Sequence, residues 1–302
     1  MIVCDTHCDV LWTRVFHPET APVVTPGNLN EGGVSLQVCT LFAGSGGPEK
    51  VPYETGMKQY HEFCRMVENE HWLQAFSPLE AEDGKSKAML SMEGGEILEG
   101  NPDRVQEFYD YGVRMIALTW NRENEIGCPA KAGPEGHIKE TGWEILKEMA
   151  RLRIAADTSH LNEAGFWDLI DKHAHPPMAS HSCARSLCDH FRNLTDEQIK
   201  GMIRRGGWIG INFYPSFLSV TGKADAQKIA EHIDYICQMG GAEHVGLGSD
   251  FDGIETVPLD VRTPAEVPHI FAELRRRGYR ETDIEKIAGV NFLNYYRRLG
   301  WE

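Results

Sequence analysis

Six residues of this chain could together do metal-assisted chemistry: His7, Asp9, Glu93, His160, His181 and Asp250. Each follows a short apolar run. His7 and Asp9 stand in Asp5-Thr6-His7-Cys8-Asp9, directly behind Met1-Ile2-Val3-Cys4. Side chains of an extended segment repeat direction every second residue, so this imidazole and carboxylate point the same way while Cys8 turns away. Such a pair is half of a divalent-metal site. A lone His-x-Asp is weak evidence, but the same residue types recurring behind later apolar runs are much stronger. Three imidazoles and several carboxylates around one opening can hold two divalent ions and bring a bridging water to near-neutral pKa. The resulting hydroxide suits hydrolysis of an amide or an ester.

The elements that must position these groups are eight runs at 2–5, 34–42, 87–92, 113–119, 153–158, 177–181, 207–213 and 244–249. They are nearly continuously apolar, as strands covered on both faces are. Amphipathic stretches separate most of them and predict helices at 53–72, 102–111, 141–151, 163–173, 195–205, 224–240, 263–277 and 282–299. Asn101, Asn162 and Thr195 are the expected N-caps. Strand–helix alternation repeated eight times predicts a (β/α)8 TIM-like barrel, read as a single domain over residues 1–302. All C-terminal strand ends of such a barrel meet at one rim. Trp120, Asn121 and Tyr214 would join the six residues there. Two long loops, 120–140 and 214–222, would shape the substrate pocket.

Composition narrows the partners. A formal charge of −15 leaves no basic surplus for nucleic acid or an anionic membrane surface. No apolar run approaches the roughly 20 residues a bilayer span needs, and a secretory signal is not expected because the chain enters a strand run at once. The eight cysteines are scattered, which fits reduced thiols in a cytoplasmic enzyme. His232, His244 and His269 read as structural histidines. There is no Gly-x-Ser-x-Gly elbow, phosphate-binding Gly-x-x-x-x-Gly-Lys loop or Gly-x-Gly-x-x-Gly nucleotide fingerprint.

Six segments carry a specific resemblance: Asp5-Thr6-His7-Cys8-Asp9, Ser91-Met92-Glu93-Gly94-Gly95, Asp157-Thr158-Ser159-His160, Ser180-His181-Ser182, Arg192-Asn193 and Gly248-Ser249-Asp250-Phe251-Asp252-Gly253. In this order they resemble the renal (membrane) dipeptidase family, peptidase family M19. The resemblance implies a binuclear zinc hydrolase cleaving dipeptides, including those with a C-terminal D-residue. It implies that His7 and Asp9 hold one ion, His160 and His181 the other, and that Glu93 bridges them. By the same resemblance Asp250 is the general base and acid and Arg192 clamps the substrate carboxylate; Asp252, beyond the strand end in an Asp-Gly turn, ranks second as base. A homodimer is also implied. One departure stands out: the family reads Leu-Thr-His after the fourth strand, where this chain reads Leu118-Thr119-Trp120-Asn121. An indole cannot accept a proton, so Asn121, Asn124 or His137 would have to move in, or the metal supply the electrophilic help. The rivals to a dipeptidase are another amide or ester hydrolase, acting on an N-acyl-amino acid or a lactone, and a non-catalytic metal-binding scaffold.

Overall fold

The computed structural model describes residues 1–44 and 51–302. Nine strands form one parallel sheet: β1 (Cys4–Asp5), β2 (Leu36–Phe42), β3 (Leu73–Gln74), β4 (Lys87–Glu93), β5 (Val113–Ala117), β6 (Ala155–Asp157), β7 (Met178–Ala179), β8 (Trp208–Ile211) and β9 (Val245–Leu247). Their order is β2-β1-β9-β8-β7-β6-β5-β4, and β2 pairs again with β4 from Leu36↔Lys87 to Phe42↔Glu93, which closes an eight-stranded barrel. Each expected run therefore holds a barrel strand, shorter than the run around it except for β4, which continues one residue past 87–92 to Glu93. β3 was not expected. It adds two residues beside Lys87 and Ala88, before β5 takes over that edge of β4.

Alternation along the strands builds two apolar layers. Leu36, Val38, Met89, Met115, Ala155, Met178 and Trp208 pack inside the barrel with Phe292, Tyr295 and Tyr296 of the C-terminal helix. Their neighbours Cys39, Leu41, Leu90, Ile116, Ala156 and Ile209 face the surrounding helices. The C-terminal helix plugs the lower end, where Tyr296 and Tyr295 donate to the carbonyls of Arg114 and Pro176, at 2.9 Å each. Following the inward parity upward leads from this plug to the site: Met89, Ser91 and Glu93 on β4, or Trp208 and Gly210 on β8 and Asn212 just past its end.

The expected helices are present with different ends. Asn162 and Thr195 cap theirs, Thr195 in a full capping box with Gln198, and Asn101 accepts from the Asp103 amide at 3.0 Å. The stretch 263–277 breaks at Pro268 into a 3-10 turn and the helix Pro268–Arg276, because proline cannot donate to the preceding turn. In 282–299, the wide turn Lys286–Val290 links Glu281–Glu285 to Asn291–Arg298. Helices Val10–Phe16 and Pro26–Glu31 were not expected.

Candidate active site

Two buried clasps set the rim. Asp5, ending β1, accepts from the Ser249 amide at 2.8 Å and the Ser249 hydroxyl at 2.5 Å. Across the barrel, Asp157, ending β6, accepts from the amides of Ser159 and Ser180 at 2.9 Å each, and from the Ser180 hydroxyl. Each clasp ties two strand ends together just below the functional residues: His7 beside Asp250, and His160 beside His181. His160 and Asp250 themselves sit in the left-handed region, at φ 67 and 66. That conformation costs a non-glycine residue roughly 1–3 kcal/mol and is held by such surroundings.

Glu93 is the centre of the cluster. Its Oε1 lies 3.0 Å from His160 Nε2 and 3.3 Å from His181 Nε2, whereas Oε2 lies 3.7 Å from His7 Nε2. His7 Nε2 is also 3.5 Å from Asp9 Oδ2 and 3.7 Å from Asp250 Oδ1. All three imidazoles thus turn Nε2 inward, and each Nδ1 meets a polar partner behind it. His7 Nδ1 lies 3.3 Å from Thr40 Oγ1, His181 Nδ1 lies 2.8 Å from Ser180 Oγ, and His160 Nδ1 lies 3.1 Å from Asn121 Oδ1. Outer partners of this kind fix ring orientation and tautomer in metal sites.

The electrostatics are those of a site built for cations. Burial pushes the Glu93 carboxyl well up, and Asp9 and Asp250 beside it push further. Burial likewise raises Asp250 to about 6, against the opposing pull of His7. Burial alone would lower His7, but Glu93, Asp9 and Asp250 outweigh it and bring the imidazole up to about 10. His160 and His181 are pushed well down by burial and nearby cationic groups, so they stay neutral. His7 Nε2 and Asp9 Oδ1 are buried without a hydrogen-bond partner. Orphaned inward donors, neutral imidazoles and crowded carboxylates fit divalent ions. By proximity His7, Glu93 and His181 form one potential ligand group, and His7, Asp9 and Asp250 another. The division of ligands implied by the resemblance differs from both, but His160 and His181 converge, with their Nε2 atoms 3.1 Å apart.

Above the cluster opens a cavity of about 630 Å³, lined by Asp9, Glu93, Trp120, Asn121, His160, Tyr214 and Asp250 among others. His7 and His181 lie beneath it, 2% and 0% exposed. Asp250 Oδ2 accepts from Asn212 at 2.8 Å. A Cβ on Gly253 would collide with Asp9 Oδ2, so this tight turn requires glycine. Asp252 is otherwise engaged: its two oxygens accept from the Val23 and Val24 amides at 2.7 and 3.1 Å, pinning that segment to the rim. Tyr214 donates to Glu255 at 2.7 Å, at the edge of the opening.

Arg192 is buried behind His181, donating Nη2 to its carbonyl at 3.3 Å, with Nε unpartnered. It borders an adjoining cavity of about 250 Å³ rather than the main opening. Neither Asn124 nor His137 replaces the family histidine. Asn124 staples its own loop through Leu118, Ile126 and Gly127, and His137 pairs with Asp168 at 2.9 Å. Cys8 packs against Cys39, sulfur to sulfur 4.0 Å, away from His7 and Asp9 as alternation required. His232, His244 and His269 each bond backbone, as expected of structural histidines.

Sequence reasoning missed Asn212, Asp5, Asp157, Trp12 and Phe42. The inward parity of 208–212 and 36–42 would have found Asn212 and Phe42. The repeated Asp-Thr before His7 and before Ser159-His160 marks the two clasps.

Comparison with known proteins bears on the family and the fold. An uncharacterized protein in the pqqA 5′ region of Klebsiella pneumoniae is 34% identical over 231 residues, 73% of this chain and 84% of the relative. An uncharacterized dipeptidase of Schizosaccharomyces pombe is 33% identical over 214 residues, 70% of this chain and 52% of the relative, so the chain spans about half of that protein. Among solved structures, a metallopeptidase from Rhodobacter sphaeroides, liganded with a phosphinate mimic of the dipeptide L-Ala-D-Ala, superposes with a TM-score of 0.91 at 24% identity, covering 100% of this chain and 99% of that one. The probable dipeptidase PvdM from Pseudomonas aeruginosa gives 0.88 at 19%, covering 99% and 95%. At these identities the superpositions speak for the fold. Among the described residues no helix is long and apolar enough to cross a membrane. The sequence model of the membrane dipeptidases matches residues 1–299, and the chain belongs to that family, peptidase family M19, as a hydrolase of peptide bonds.

Proposed function

We propose that this protein hydrolyses dipeptides, including those with a C-terminal D-residue, at a pair of zinc ions held by His7, Asp9, Glu93, His160 and His181. The observation that carries this reading is the division of Glu93, one oxygen toward His160 and His181 and the other toward His7. A carboxylate is the side chain in this set that can serve two ions at once. A divalent pair held there would supply Lewis acidity and lower the pKa of bound water toward neutrality.

The chain's own residues do the rest. Asp250, with Oδ2 fixed by Asn212, is placed to take a proton from water and return it to the leaving amine. Arg192 carries a buried guanidinium with a free Nε, suited to a substrate carboxylate. Asn121 steadies His160 and stands with Trp120 and Tyr214 on the wall that substrate would meet. The phosphinate mimic bound by the Rhodobacter relative motivates the D-residue. A reducing, cytoplasmic setting accords with eight unpaired thiols.

The test is hydrolysis of matched L-X-L-Y and L-X-D-Y dipeptides by metal-loaded protein, with Asp250→Asn as control. Cleavage that collapses in the control is expected. Turnover of N-acyl-amino acids or lactones with intact dipeptides would transfer the reading to those substrates.

A further inference from the structure

The opening is lined by rings on two arcs, Tyr214 and Phe217 after β8 and a longer series on the other side. Around the barrel the strand order runs β1, β2, β4, β5, β6, β7, β8, β9. The arc from β1 to β5 carries three aromatic rings in series. Trp12 meets Phe42 edge-on at 4.9 Å between centroids, and Phe42 meets Trp120 edge-on at 5.0 Å. All three line the main cavity. The wall continues to the ligands, since Trp120 lies 6.1 Å from the His160 ring. Its outer end is fitted with care: Gly44 has φ +85, and a Cβ there would press to 3.3 Å from the Trp12 indole. Glycine lets the indole lie against the backbone. Arg192 sits after β7, four strands from β2 and so diametrically across the barrel from Phe42.

Resting on the dipeptidase reading above, we infer that Trp12, Phe42 and Trp120 form an apolar subsite that selects a large apolar or aromatic side chain on the N-terminal residue of the substrate. Arg192 borders the adjoining cavity behind His181, and a dipeptide whose carboxylate lies on that side of the rim extends its other residue toward the opposite arc. What that residue's side chain meets there is ring surface. Two indoles and a phenyl offer apolar area and edge-to-face partners to an incoming ring. The rings offer no counter-charge, and the carboxylates that line the same cavity, Asp9, Asp252 and Glu255 among them, would repel an acidic side chain. Where the family carries an imidazole, this chain's Trp120 extends the apolar wall up to the reacting bond. The wall is a recognition surface, and proton transfer is left to Asp250.

The experiment compares kcat/KM for Phe-Ala, Leu-Ala, Gly-Ala, Lys-Ala, Ala-Phe and Ala-Gly in metal-loaded wild type, Trp120→Ala and Trp12→Ala. Both tryptophans are partly exposed, and a thermal melt confirms that each variant is folded. The expected result is Phe-Ala over Gly-Ala by about 10-fold or more in wild type. Each variant should shrink that ratio about 3- to 10-fold, a change that a merely structural defect, acting on all substrates alike, would not produce. If Gly-Ala and Phe-Ala are cleaved equally well, or the ratio survives in both folded variants, the subsite is refuted while the dipeptidase reading stands. A stronger preference at the C-terminal residue, Ala-Phe over Ala-Gly, would overturn the assigned direction. Cleavage of none of the six would remove the dipeptidase reading and this inference with it.

Discussion

Asn121 Oδ1 lies 3.1 Å from His160 Nδ1, on the side of the ring opposite Glu93. With Nε2 given to a metal ion, as proposed, the neutral ring would carry its proton on Nδ1 and donate it to the amide oxygen. In the proposed metal site Asn121 would therefore act through the orientation of His160. Removal of such an outer partner typically weakens metal binding about 10- to 100-fold. Asn121→Ala should show that loss in competition with a chromogenic chelator. Unchanged affinity would mean that the contact does not orient the ring.

Asp250 should separate chemistry from assembly. Asp250→Asn keeps the shape and the neighbourhood of Asn212 but removes the base. Turnover should fall about 10²- to 10⁴-fold while the metal content stays that of wild type. Loss of metal in step with activity would instead make Asp250 a ligand, as its place 3.7 Å from His7 Nε2 would allow.

Trp120 and Glu93 should differ in kind. Glu93 is shared between both halves of the cluster, so Glu93→Ala should cost several orders of magnitude in turnover. Trp120→Ala removes wall and leaves the ligands, so the loss on a small substrate should be much less. Equal losses in steady-state assays would show that the indole takes part in the chemistry.

Stability should depend on His232. Its Nδ1 accepts from the Ala184 amide at 3.1 Å and its Nε2 meets the Leu218 carbonyl at 3.1 Å, so the native ring is neutral. Burial lowers it from 6.5 to about 4. In the unfolded chain the ring takes up a proton near 6.5, so that state gains as pH falls through the window. Native stability from this residue is complete above about 6.5 and is lost progressively down to about 4, by roughly 3 kcal/mol in all. Urea titrations across pH 4–7 should show a shallower slope for His232→Gln than for wild type. Parallel slopes would contradict the assignment.

Much of the barrel was legible because buried strands are apolar on both faces and leave compact runs between amphipathic helices. Their functional ends were legible because His7, Glu93, His160, His181 and Asp250 break those runs with groups that burial would otherwise exclude. Helix Val10–Phe16 was hidden because it begins directly behind Asp9, in the same motif, and shows too little length for a period. Asp252 was legible as an acid but not as an anchor, since its partners, the Val23 and Val24 amides, are over 220 residues away in sequence. The aromatic wall was hidden for the same reason: Trp12, Phe42 and Trp120 become neighbours when β2 closes on β4.

The central claim is that peptide-bond cleavage here depends on two divalent ions in the His7–Asp9–Glu93–His160–His181 cluster. The direct measurement is dipeptide hydrolysis by chelator-stripped protein during back-titration with zinc. Activity should be absent at the start, rise with added metal and level off at two ions per chain. Full activity in the stripped protein, or no cleavage of any dipeptide after two ions have bound, would contradict the account.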